Sequence, residues 1–213
     1  MEILRIGVGN LATICSNVLK PIIVNGKPLK SVNQYYNKQL AKLKSELKNE
    51  KKTSKRIKSL TAKRNNKVND YLHKSSRLIV NYLVSNNIST LVIGKNKEWK
   101  QNANIGKRNN QNFIQIPHTR FIEMLTYKCK LEGITVIVKE ESYTSKCSFM
   151  DNEPIKKHKV YLGKRVKRGL FQTKEKRLIN ADVNGSLNIL RKVVGEFQYP
   201  IEVYSTPLVL TIK

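Results

Sequence analysis

The chain has 213 residues, with 41 Lys and Arg against 15 Asp and Glu, a formal net charge of +26 and 39% hydrophobic residues. That composition supports a folded core, and a cationic surplus of that size points to a polyanionic partner, nucleic acid first among them. No apolar run approaches the roughly 20 residues of a membrane span, the N-terminus lacks a charged-then-apolar secretion signal, and cations spread through most of the chain beside a single Trp argue against a purely membrane-surface role; an intracellular, cytoplasmic protein associated with nucleic acid is expected.

The segments LRIGVGNLATICSN (4–17) and PIIVNGKPL (21–29) are β-branched and broken by Gly and Asn, which predicts two or three strands in a small antiparallel meander. From Ser31 the period changes. Tyr36, Leu40, Leu43 and Leu47 recur at helical spacing, and so do Ile57, Leu60, Val68, Leu72, Ile79 and Leu83. Two amphipathic helices with a break near residues 49–53 follow from this. STLVIG (89–94) reads as a buried strand, residues 116–133 as a helix closed by Gly133, ITVIVKE (134–140) as another strand and ADVNGSLNILRKVV (181–194) as the last helix. Alternation after an initial meander argues for an α/β or α+β sheet with helices on its faces.

Cys15, Cys129 and Cys147 are odd in number and widely spaced, so they can build neither a disulfide framework nor a C-x-x-C metal pair. Each reads as a reduced, buried small hydrophobe.

The cations are concentrated. Residues 38–77 hold 14 Lys and Arg against 3 acids, and residues 155–177 hold 10 against 1. A charge run is often only a solvated helix face, but GKRVKRGLF (163–171) sets cations beside Gly and an aromatic, which suits close approach to phosphates. The candidate nucleic-acid contacts are Lys55, Arg56, Lys63 and Arg64 in the first run, Lys164, Arg165, Lys167 and Arg168 in the second, and Lys107 and Arg108 between them.

Asp182 lies between an apolar run and a helix start, in LINADVNGSLNIL (178–190). One reading is a helix cap. The other is a ligand to a divalent metal beside a phosphodiester, which needs a second carboxylate within reach. Glu140 and Glu141 end a predicted strand, where open sheets bind ligands. Adjacent residues on a strand face opposite ways, so at most one of the two points into such a site.

Taken in order, GVGNLAT, LVIGKNKEWKQ, NIGKRNNQNFIQIP, EESYTSKCSFMD, GKRVKRGLF and INADVNGSLNIL resemble the motifs of the TnpB-type (OrfB) proteins of insertion sequences. The resemblance implies an RNase H-like, RuvC-type mixed sheet flanked by helices, carrying a basic helical hairpin and a degenerate zinc-ribbon-like insert. It divides the chain into first strands (1–30), hairpin (31–86), central strands and helix (87–143), insert (144–177), final helix (178–195) and tail (196–213). The implied chemistry is RNA-guided DNA cleavage at three acids that bind Mg²⁺, with DNA and a guide-type RNA as partners. Asp182 falls on the third acid.

Departures from the family pattern bear on that chemistry. The first motif of the family reads Asp-Leu-Gly-Val-Asn-Asn-Leu-Ala-Thr, which sets Arg5 at the position of the first acid. Glu2, three residues away, faces the other side of the strand. Gly94 stands where the second acid usually follows its strand, with Glu98 nearby but off the motif, and Glu141 or Glu140 is the candidate to supply it. Of two C-x-x-C zinc pairs common in relatives, the first aligns with Ser148 and Asp151 and the second has no counterpart; Cys147 and His158 cannot complete a tetrahedral site, so no zinc is expected. Family members also carry an N-terminal part that has no counterpart here, so a truncated copy is expected.

The expected function is binding of DNA or RNA, or both, with cleavage impaired by Arg5 and by loss of the N-terminal half. The alternatives are an active metal-dependent nuclease using Asp182 with Glu141 or Glu140, a decayed reading frame, and a structural RNA-binding protein.

Overall fold

The computed structural model describes residues 1–7, 9–16, 19–48, 51–95, 111, 114–197 and 207–212. The opening segments form the expected meander: β1 (Glu2–Ile6), β2 (Asn10–Ser16) and β3 (Ile22–Asn25) pair antiparallel. Helix α1 (Lys27–Ser45) starts four residues before the periodic pattern does. Pro28 explains the difference, because its fixed φ and missing N–H are tolerated in the first turn, where no intrahelical partner exists. Helix α2 (Lys55–Ser85) begins at Ser54, whose hydroxyl accepts from the Ile57 N–H.

β4 (Thr90–Gly94), α3 (His118–Leu131), β5 (Thr135–Lys139) and α4 (Ala181–Val194) follow where the periodicity put them. Gly133 ends α3 with φ +71°, a left-handed conformation that glycine adopts without strain. The large sheet has the order β5-β4-β1-β2-β3 with a sixth strand beyond β3, and β4 and β5 run parallel to β1. Its last strand, β9 (Leu208–Leu210), comes from the tail and pairs parallel to β3.

Alternation along the strands separates two cores. Leu4, Ile6, Ile14, Leu91 and Ile93 pack with α1, α2 and α3, whereas Ile3, Cys15 and Val92 face Val183, Leu187 and Leu190 of α4. Burial on both faces is why these strands read as nearly continuous apolar runs. The basic insert, where the periodicity predicted no element, contains β6 (Lys164–Lys167) and β7 (Leu170–Gln172). With β8 (Leu178–Asn180) they make a second, three-stranded antiparallel sheet. Phe171 and Ile179 tie that sheet to the α4 core. All three cysteines are buried free thiols.

Candidate functional site

The site is built where β1, the end of β4, the segment after β5 and the first turn of α4 meet. Asn180, not Asp182, caps α4: its Oδ1 accepts from the N–H groups of Asp182 and Val183 at 2.9 and 3.2 Å. That leaves the Asp182 carboxylate available to the sheet. Arg5 lies on the α4 face of β1 with Ile3, and its Nη1 donates to Asp182 Oδ1 at 2.5 Å. Asn10, at the start of β2, donates from Nδ2 to Asp182 Oδ2 at 2.7 Å. The other edge of the guanidinium faces Glu141, with Nε 3.7 Å from Oε2. One cation therefore bridges both carboxylates, and the side chains of Arg5, Asp182 and Glu141 are 16%, 25% and 6% exposed.

Packing fixes this geometry from two sides. A Cβ at Gly185 would stand 3.0 Å from Arg5 Nε and 3.2 Å from its Cδ, so the arginine stem lies against bare backbone of α4. A Cβ at Gly94 would stand 2.9 Å from Glu141 Oε2, so the Glu141 carboxylate fills the space a side chain at position 94 would take. Glu140 turns outward, is exposed, and accepts from Ser142 Oγ at 2.9 Å. Of the two adjacent glutamates, then, Glu141 faces the Arg5 that holds Asp182, and Glu140 does not. Glu2 shares the opposite face of β1 with Leu4 and Ile6, is 1% exposed, and is held up at a pKa of about 7 by burial, with a Ser16 hydrogen bond acting against the shift.

Burial also raises the Glu141 carboxyl above its ordinary range; Arg5 and Lys192 pull it down and the Asp182 charge adds to the rise. A divalent ion does not fit this arrangement. Both Asp182 oxygens already accept hydrogen bonds from protein donors, and a guanidinium stands between the two acids. Among the described residues, no three His, Cys, Asp or Glu side chains converge as metal ligands.

Two exposed cationic surfaces accompany the site. Thirteen of the 14 Lys and Arg in residues 38–77 that lie on or beside the α1–α2 hairpin are exposed, Lys55, Arg56 and Lys63 among them. Arg64 is the exception. Its guanidinium donates to Asn33 Oδ1 at 2.7 Å and to the Gln115 carbonyl at 2.7 Å, which commits it to the fold rather than to phosphate. All ten cations of residues 155–177 are exposed, including Lys164, Arg165 and Lys167 on β6. Arg168, at the β6–β7 turn, brings Nη2 within 3.3 Å of where a Gly9 Cβ would lie, so the basic hairpin overhangs the β1–β2 turn next to Asn10. Lys107 and Arg108 lie outside the described residues.

Sequence reasoning missed Asn10, Asn180 and Glu153. The first two were legible as the polar residues of GVGNLAT and of the α4 N-terminus. Glu153 organises the insert: its buried carboxylate accepts from Ser148 N at 2.7 Å and from Leu162 N at 2.9 Å. The Cys147 thiol lies within 3.4 Å of the Pro154 carbonyl, and Asn184 and Asn188 of α4 donate to the Cys147 carbonyl at 2.9 and 2.8 Å. The insert is thereby fastened to the same helix that carries Asp182.

Two family models match this chain. Residues 5–100 match the model of OrfB_IS605, a probable transposase, and residues 118–189 match the Cas12f1-like TNB domain. The resemblance to the TnpB-type proteins is borne out by these two matches. Among solved structures, a cryo-EM Cas12f1–sgRNA–target DNA complex is similar with a TM-score of 0.66 at 18% identity, over 89% of this chain and 49% of that one. A CRISPR-Cas12f ternary complex gives 0.60 at 17%, over 89% and 38%. The C2c1 of Alicyclobacillus acidoterrestris with single-guide RNA gives 0.53 at 16%, over 78% and 20%. These likenesses establish a shared fold, and the chain spans about half the length of the first of them. No curated protein matches the chain. No helix among the described residues is long and apolar enough to cross a membrane.

Proposed function

We propose that this chain is a TnpB-type nucleic-acid-binding protein with a RuvC-type core, which holds DNA, guide-type RNA or both and cleaves poorly. The observation that carries this reading is the Arg5 guanidinium seated between Asp182 and Glu141. The corresponding family position is an acid, and here it is a cation that already pairs with both remaining carboxylates. Two like unit charges about 4 Å apart repel by about 4 kcal/mol at an effective dielectric of about 20, so a metal cation is disfavoured there. DNA and RNA as ligands are supported by the exposed cations of the α1–α2 hairpin and of the insert, and by the complexes in which the similar proteins were solved.

A second reading, a nuclease with a relocated second acid, is favoured by one feature. Glu141 takes the space of a side chain at position 94, beside Asp182. One assay separates the two. Single-stranded DNA is incubated with Mg²⁺ or Mn²⁺ and the unmodified chain, Asp182→Ala or Arg5→Asp. The unmodified chain and Asp182→Ala are expected to leave the DNA equally intact. Arg5→Asp is expected to bind Mn²⁺ more tightly by calorimetry, because a third carboxylate replaces the cation. Cutting by the unmodified chain that disappears in Asp182→Ala would return the protein to the nucleases.

A further inference from the structure

The α1–α2 hairpin encloses a cavity that the acid site does not use. The two helices run antiparallel there: the Tyr36 and Thr61 hydroxyls lie 3.1 Å apart, and Arg64 Nε meets Asn33 Oδ1 at 2.7 Å. On α2, Leu60, Lys63, Arg64 and Lys67 recur at helical spacing and form one stripe, which faces Tyr35 and Tyr36 on α1. They line an open cavity of about 710 Å³, within the usual range for ligand sites.

The floor of this cavity is rigid and its rim is free. Arg64 is held by Asn33, Asn65 and the Gln115 carbonyl, and its guanidinium lies over the Tyr36 ring at 5.6 Å from the centroid. The Tyr36 hydroxyl is tied to Thr61. Tyr35, in contrast, keeps 63% of its surface in solvent, and Lys63 and Lys67 are exposed one helical turn apart. A large ring left in water beside paired cations wants a partner with an aromatic face and negative charge on either side. An unpaired nucleotide in a strand has both, because every base has a π-face and is flanked by phosphates. A base pair inside a duplex cannot present that face. The cations continuing along the hairpin favour a strand over an isolated nucleotide.

We propose that this cavity takes an unpaired base of a single-stranded nucleic acid, stacked on Tyr35, with Lys63 and Lys67 on the adjoining phosphates. The inference rests on the nucleic-acid-binding reading above and adds a subsite to it. The test uses the full chain, with Tyr35→Ala, Tyr35→Trp and the double variant Lys63→Ala/Lys67→Ala. Each is titrated at fixed salt, by fluorescence anisotropy, with mixed-sequence single-stranded DNA, single-stranded RNA, an abasic strand of equal length and a duplex. Tyr35→Ala is expected to weaken binding of base-bearing strands by about 5- to 150-fold, the range for loss of one stacked base. Its affinity for the abasic strand and the duplex should stay unchanged, and Tyr35→Trp should bind as the unmodified chain does. The double lysine variant should weaken all four ligands and flatten their salt dependence. Comparison of the DNA and RNA arms identifies which strand the subsite prefers. Equal affinity of the unmodified chain for base-bearing and abasic strands, or no loss on Tyr35→Ala, overturns the stacking subsite while leaving nucleic-acid binding intact. Failure of the unmodified chain to bind any of the four overturns the underlying reading, and the subsite with it.

Discussion

Glu153→Ala is expected to destabilise the protein by about 1–3 kcal/mol, because it strands the buried Ser148 N–H and removes the part-buried bond from the Leu162 N–H. The carboxylate is 2% exposed and joins Ser148 to Leu162 across a 14-residue span of the insert. Arg191 of α4 also donates to the Glu153 carbonyl, so the loss is felt at the helix that carries Asp182. Urea denaturation followed by circular dichroism measures the effect. Glu153→Gln keeps one acceptor oxygen and should fall between the parent and the alanine variant. A parent-like midpoint for Glu153→Ala would show that the insert is held by its Phe149 and Phe171 packing instead.

The largest effect on binding is expected from salt. If six to ten phosphates are contacted, affinity for a duplex should fall by about 10³- to 10⁵-fold between about 50 and 200 mM salt, since each neutralised phosphate releases counterions. The 23 exposed cations of residues 38–77 and 155–177 are enough for such a footprint. Among the described residues few are diverted into ion pairs: Lys74 with Asp70, Arg77 with Glu132 and Arg177 with Glu175. Anisotropy titrations of a mixed-sequence duplex and of a structured RNA at the two salt concentrations give the slope. Equal affinities at both would mean that these cations do not meet phosphate.

Much of this architecture was legible in the sequence, because period and burial are linked. Strands covered on both faces need unbroken apolar runs, and helices packed on one side need a 3.6-residue stripe; β1–β4 supply the first and α1–α3 the second. The three strands of the small sheet were not legible, because β6 is Lys-Arg-Val-Lys with every residue exposed, and pairing there depends on Phe171 and Ile179 reaching the α4 core. Strand β9 was hidden for a related reason: its pairing with β3 spans nearly the whole chain, and no local signal encodes it.

The site divides in the same way. Sequence by itself determined that Asp182 opens the last helix, that a cation stands at Arg5 and that position 94 has no side chain, because these are identities at motif positions. It also narrowed the second acid to Glu140 or Glu141. Only the tertiary structure shows which of them faces Arg5, since both lie beyond the last paired residue of β5, where strand alternation no longer dictates direction. The vacant volume at Gly94 and the charge of Arg5 drew Glu141 inward. The role of Asp182 was likewise fixed only in three dimensions. Asn180 took the helix cap, and the carboxylate thus released was captured by donors from β1 and β2, more than 170 residues away in the chain. Residue identity sets which charges are available, but which of them meet is set by how the sheet and helix bury the space between them.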